Sequence, residues 1–167
     1  MPVQRLNHAV LYVRDVDTSV AFYRDALGFR VVAGIAGKAA FLQAEGSTND
    51  HDLGLFGVGD QAADSPAGRG SVGLYHLAWE VDTLGELQRV GEVLRARGAL
   101  VGASDHGSTK ALYARDPDGI EFEVSWLVPA DRLGDDTGMR TGPLDLDAEI
   151  ARYGAATRGG VGVSVPA

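Results

Sequence analysis

Cysteine is absent from this 167-residue chain. That excludes disulfides and thiolate ligands, so any metal must be held by His, Asp, Glu or Tyr. Clustered cations are missing as well. Lys and Arg total 15 against 23 Asp and Glu, for a net charge of −8, and no basic run offers a phosphate footprint, which argues against a nucleic-acid partner. No apolar run approaches the ~20 residues of a membrane helix. The opening MPVQRLNHAVLYV lacks the basic and apolar regions of a signal peptide. The expectation is a cytoplasmic protein that engages neither membrane nor nucleic acid. Histidine is scarce, with four in the chain.

What remains suits a folded domain: 45% of residues are hydrophobic and 23% charged. The length fits one domain, or two small packed modules. Along the chain a pattern occurs twice. LNHAVLYV (6–13) reads as a strand. DVDTSVAFYRDALGF reads as a helix capped by Asp17 or Thr18 and stopped at Gly28. FRVVAGI, KAAFLQA and HDLGLFGV then read as three strands. After a Gly-, Ala-, Asp- and Pro-rich connector at 59–72, LYHLAWEV (74–81) opens the pattern again. A helix over 82–98 follows, with Leu84, Leu87, Val90 and Leu94 on one side. ALVGAS, KALYARD and GIEFEVSW are its three strands, the last two joined by the turn DPDG. The fold class is therefore α+β, with two βαβββ modules (about 4–58 and 73–128) in a domain spanning 1–128. The tail, 129–167, is Gly-, Asp- and Arg-rich, with a short helix in LDLDAEIARYG and a loose end in GGVGVSVPA.

The modules begin at His8 and His76, 68 residues apart. The same offset carries Glu123 onto Leu55, the residue expected to occupy its place in the first module. Strand alternation puts Glu121 and Glu123 on one face, so alternation alone does not choose between them. Taken with Glu123, the set is two histidines and one carboxylate on rigid strands. Such a set, with positions left open, suits a non-haem Fe(II) that binds a substrate and O2 together.

Over roughly residues 4–128 the chain resembles the vicinal oxygen chelate superfamily, also called the glyoxalase/bleomycin-resistance/dioxygenase fold. Within it the chain is similar to the type I extradiol ring-cleavage dioxygenases. Their signature runs from a His through an aliphatic-Tyr pair and an acidic-Pro-any-Gly turn to a Glu two or three residues later. Here it reads His106, GSTKA, Leu112-Tyr113, AR, Asp116-Pro117-Asp118-Gly119, IEF, Glu123. Ser104, two residues before the His, departs from the pattern. The spacing selects Glu123 over Glu121, which becomes a rim or surface residue. His51 in DHDLGLF and the strand LYHLAWEV match two further family features. All four histidines thus fall on positions the family uses.

The resemblance implies His8, His76 and Glu123 as ligands of Fe(II), with Mn(II) the other candidate. It implies His51 as the acid/base beside bound oxygen, and His106 and Tyr113 as groups that hold the substrate oxygen. The implied reaction is O2-dependent cleavage of a catechol ring beside its hydroxyls, in a homodimer or larger homo-oligomer. Glyoxalase I needs a second glutamate where Leu55 is expected. Fosfomycin-modifying thiol transferases use three such ligands but need cationic residues around a phosphonate. Metal-free drug-binding proteins of the bleomycin-resistance type would suit the negative charge but have no use for three ligands.

Overall fold

The computed structural model describes residues 2–3, 5–133 and 140–160. Its elements run β1 (Ala9–Val13), α1 (Val16–Leu27), β2 (Arg30–Ile35), β3 (Ala39–Gln43) and β4 (Leu53–Gly57). They continue with β5 (Leu77–Glu80), α2 (Leu84–Ala96), β6 (Leu100–Asp105), β7 (Thr109–Arg115), β8 (Glu121–Leu127) and α3 (Leu146–Tyr153). The expected loose end, GGVGVSVPA, lies outside the described residues from 161 onward.

Two four-stranded sheets have the same order, β1-β4-β3-β2 and β5-β8-β7-β6. In each, the first strand is parallel to the last and the other pairs are antiparallel. The duplicated βαβββ pattern is thus an α+β fold of two modules. A register shift falls at the same place in both, between Val31 and Ala33 and between Leu100 and Gly102. The chain divides into two compact units, residues 1–65 with Asp116–Gly119, and residues 66–115 with 120–167.

In the first unit, α1 starts at Asp15, whose side chain accepts from the Thr18 amide at 2.7 Å. The cap is therefore neither Asp17 nor Thr18, both of which already lie in the first helical turn. Gly28 ends the helix at φ 74°, a left-handed conformation that costs glycine no Cβ clash. The helix buries Val16, Phe22, Tyr23 and Ala26. Tyr23 donates to Asp116 Oδ2 at 3.1 Å in the core. Burial first, then the Asp116 charge, pushes the tyrosine pKa well up. Asp116 also accepts from the Asp118 amide at 2.9 Å, and Asp118 receives Arg14 Nη1 at 2.8 Å. The turn after β7 is thus fastened by carboxylates that the sequence pattern left without a role. Tyr23→Phe removes one donor from the buried Asp116 carboxylate, and is expected to cost about 1–3 kcal/mol, read as a lowered urea midpoint at unchanged slope.

In the second unit, Thr83 caps α2 by accepting from the Glu86 amide at 3.2 Å. Leu84, Leu87, Val90 and Leu94 are buried along it, the stripe expected from the sequence. Trp126 and Phe122 of β8 and Leu112 of β7 add to this core. Among the described residues no helix is long and apolar enough to cross a membrane.

The strand registers correct one expectation. Leu77 pairs Phe122 and Ala78 pairs Glu123 in the second sheet, while Ala9 pairs Leu53 and Val10 pairs Gly54 in the first. Two residues past its histidine, each module therefore meets Glu123 or Gly54. Leu55 corresponds to Val124, and both are fully buried. A slip of one residue moves a side chain to the opposite face of a strand, so Gly54 is the first module's counterpart of Glu123. The row continues across each sheet. Gly54 pairs Phe41, and Glu123 pairs Tyr113.

Candidate functional site

Each module carries a histidine immediately before its first strand. Strand β1 begins at Ala9 and β5 at Leu77, so His8 and His76 are the residues entering the strands rather than members of them, as the longer strands 6–13 and 74–81 had implied.

In the first unit, His8 Nδ1 lies 2.7 Å from Asn7 Oδ1. An amide oxygen accepts only, so Nδ1 carries the proton and Nε2 is left with a lone pair. Asn49 steadies this arrangement by donating to the Asn7 carbonyl at 2.7 Å and to Asp52 Oδ1 at 2.8 Å. His51 precedes β4 by two residues rather than opening it. Its ring is 4.5 Å from that of His8, and Phe41 meets it edge-on at 5.1 Å. His51 Nδ1 is 3.3 Å from Asp50 Oδ2. The His51 backbone N–H, 3.0 Å from Asp50 Oδ1, holds that carboxyl below its usual range. A carboxylate on Nδ1 directs the ring's other nitrogen to outside chemistry, the arrangement a general acid/base needs. Asn7 and Asp50 were not singled out from sequence, although each is the polar residue directly preceding its histidine.

In the second unit, His76, Glu123, Tyr113 and His106 come together. His76 Nε2 is 3.3 Å from Glu123 Oε2. The His76 and Tyr113 rings are 5.7 Å apart, and the Tyr75 ring lies 4.5 Å from that of His76. Tyr113 is directly across the strand pair from Glu123. His106, in the hairpin between β6 and β7, has Nε2 2.9 Å from the Tyr113 hydroxyl. Partial burial, and next the Glu123 charge, push the Tyr113 pKa up to about 12, so this hydroxyl keeps its proton at neutral pH. Glu121 faces Arg115 across the hairpin at 3.7 Å and touches none of these groups in an ion pair.

Among the described residues, no group of three or more His, Asp or Glu is gathered closely enough to hold a metal ion. The donor chemistry nonetheless fits one. His76 Nδ1 is buried without a hydrogen-bond partner, and Nε2 lies 3.3 Å from Glu123 Oε2. A neutral imidazole beside an anionic oxygen is a hard-to-borderline pair that suits Fe(II), Mn(II) or Zn(II). His8 belongs to the first unit and, with Nδ1 donating to Asn7, keeps a lone pair on Nε2.

The sequence profile of the Glyoxalase/Bleomycin resistance protein/Dioxygenase superfamily matches residues 5–124, and the chain belongs to that superfamily. It is 30% identical over 119 residues to the catechol-2,3-dioxygenase of Bacillus subtilis (strain 168), covering 71% of this chain and 40% of that protein. It is 29% identical over 130 residues to the manganese-dependent 2,3-dihydroxybiphenyl 1,2-dioxygenase of Geobacillus genomosp. 3, covering 75% of this chain and 38% of that protein. The chain thus spans about two fifths of the length of either relative. The glyoxylase/bleomycin resistance protein/dioxygenase domain from Frankia sp. EAN1pec superposes with a TM-score of 0.62 at 23% identity, covering 74% of this chain and 92% of that domain, a likeness of fold alone.

Proposed function

We propose that the protein is an extradiol dioxygenase that uses a bound divalent metal and O2 to cleave a catechol-type ring beside its two hydroxyls. The observation that carries this reading is the second unit's cluster, in which Glu123 faces His76 while Tyr113, opposite Glu123, is hydrogen-bonded to His106. His8, His76 and Glu123 would hold the metal. Two neutral imidazoles and one carboxylate leave a divalent ion with net positive charge, and so with affinity for a catecholate. Bound there, Fe(II) supplies Lewis acidity toward the substrate hydroxyls and the one-electron exchange that O2 chemistry requires.

The remaining side chains supply binding and proton handling. The Tyr113 oxygen accepts from a substrate hydroxyl, and His106 behind it takes up the positive charge that develops as that proton shifts. His51, oriented by Asp50, delivers or removes a proton on the oxygen side. In the first module Phe41 is the apolar counterpart of Tyr113. The protein acts in the cytoplasm, as a homodimer or larger homo-oligomer, on a small catechol and O2.

One relative is named as manganese-dependent, and an N,N,O donor set accepts either ion. The test is therefore run with both metals. Protein reconstituted with Fe(II) or Mn(II) is mixed with monocyclic and bicyclic catechols, while O2 uptake and the yellow ring-opened product are followed. We expect one O2 consumed per ring opened, with Fe(II) the more active. Full metal occupancy without O2 uptake on any catechol overturns the reading.

A further inference from the structure

The region beyond residue 124 lies outside the superfamily match, yet residues 140–153 reach back onto β6 and β7. The backbone of Gly142 bonds to Asp105 in both directions, at 2.9 and 3.0 Å. The Asp105 side chain is a hub, with Oδ1 2.6 Å from Lys110 Nζ and Oδ2 3.0 Å from Arg140 Nη2. Lys110 is wholly buried, and its ammonium is also 3.0 Å from Glu149 Oε2 on α3. A buried cation flanked by two carboxylates is costly to disturb, so both ends of this segment are anchored. At the far end, Trp126 Nε1 donates to the Thr157 carbonyl at 3.1 Å, and Arg132 Nη1 to the Tyr153 carbonyl at 2.9 Å.

The consequence falls on His106. Its Nδ1 is 3.0 Å from the Arg140 carbonyl oxygen and 3.2 Å from Thr141 Oγ1, while its Nε2 is 2.9 Å from the Tyr113 hydroxyl. A carbonyl can only accept, so the neutral ring must carry its proton on Nδ1, and Nε2 must then accept from Tyr113. The opposite tautomer would set two acceptors against each other at Arg140. The Glu123 carboxylate is a second acceptor for the tyrosine proton. The tautomer of His106 therefore decides which acceptor the tyrosine serves.

We propose that residues 140–142 are a positioning element for the site: the Arg140 carbonyl fixes His106 as the Nδ1–H tautomer and so holds the Tyr113 proton on the His106 side. With that proton committed, the lone pairs of the Tyr113 oxygen face outward as the acceptor for a substrate hydroxyl. The tautomer is a property of the resting protein. Only its use in turnover rests on the dioxygenase reading above.

Long-range proton–nitrogen NMR of the full chain without added metal reads the tautomer directly. We expect His106 to be protonated at Nδ1 with Nε2 as acceptor. A ring protonated on Nε2 alone overturns the proposal. Arg140→Ala cuts the side-chain anchor to Asp105 at the surface, and Gly142→Pro removes one of the two backbone bonds. In variants whose circular dichroism matches the parent, both nitrogens of His106 should show mixed protonation, and Arg140→Lys should restore the single tautomer. If the folded Arg140→Ala protein keeps a single Nδ1–H tautomer and Gly142→Pro does likewise, the segment does not position the ring. Should the parent cleave catechols, kcat in Arg140→Ala falls about tenfold with bound metal unchanged, the usual size of such indirect effects. A parent inactive on catechols overturns the dioxygenase reading and leaves the NMR result to judge the tautomer.

Discussion

Glu123→Gln is expected to lose its metal. The substitution keeps the size of the side chain and one oxygen, but removes the anionic charge that a divalent ion needs beside two neutral imidazoles. Partners one shell removed from a metal already change affinity by about 10–100-fold, so loss of the carboxylate itself is expected to exceed about 100-fold, with ring-cleaving activity falling in step. Equilibrium dialysis against Fe(II) or Mn(II), followed by metal analysis, is the measurement. The control lies two residues away. Glu121 shares a strand face with Glu123 and pairs Arg115 at 3.7 Å, and Glu121→Gln is expected to hold metal as the parent does. The thermal midpoint of metal-free Glu123→Gln should stay close to that of metal-free parent, because glutamine keeps the size of the side chain and a hydrogen-bonding oxygen opposite His76 and Tyr113. Normal metal content and turnover in Glu123→Gln would remove this residue from the ligand set.

The duplicated architecture could be read from the chain because each strand alternates and each helix carries its own apolar stripe, which are local signals. The row of residues that faces the site was harder. Counting 68 residues from one module to the other led to Leu55, whereas the strand pairs lead to Gly54. The reason is visible in the connections. From Ala33 to Phe41 the first module is shorter than the second from Gly102 to Tyr113, while from Phe41 to Gly54 it is longer than from Tyr113 to Glu123. These two differences, three residues each, cancel; the one-residue error arises upstream, where His8 to Ala33 spans 25 residues and His76 to Gly102 spans 26, and in a strand one residue reverses the face. The corrected pairing strengthens the case against a two-glutamate site, since glycine offers no side chain at all. It also identifies Phe41 as the apolar counterpart of Tyr113, an asymmetry no count could show.

Contacts between segments distant in sequence were not legible for a different reason. Nothing local to Arg140 says that its carbonyl meets His106, or that Lys110 draws Glu149 onto the sheet. Such pairings are decided by which loop closes over which strand, and one sequence holds no record of that choice. The caps follow the same logic on a smaller scale. Asp15, Asp17 and Thr18 are all acceptable capping residues, and the choice of Asp15 depends on where the chain leaves β1.

The second large effect is expected at His51, and it should look unlike the first. His51→Ala removes no proposed ligand, so metal content is expected to match the parent within experimental scatter, while kcat falls by about 10²–10⁴-fold, the range for losing a positioned acid/base. The physical basis is the pairing of His51 Nδ1 with Asp50 Oδ2 at 3.3 Å, which leaves the other ring nitrogen available for proton transfer. Asp50→Asn tests that link. It leaves a neutral side chain beside Nδ1 that can donate as well as accept, and is expected to give a smaller loss of about 10-fold, the scale of an orienting partner. Because the His51 ring also lies tilted 4.5 Å from His8 and meets Phe41 edge-on at 5.1 Å, truncation to Ala opens space beside a proposed ligand. His51→Phe or His51→Gln therefore accompanies it: Phe restores the ring contacts without a titratable nitrogen, and Gln restores a hydrogen-bonding group without proton exchange near neutral pH. If packing were the role of His51, Phe would recover most of the activity and Gln little. If proton transfer is its role, neither recovers it, and all three variants retain metal and substrate binding. Recovery by Phe would transfer His51 from chemistry to the wall of the site.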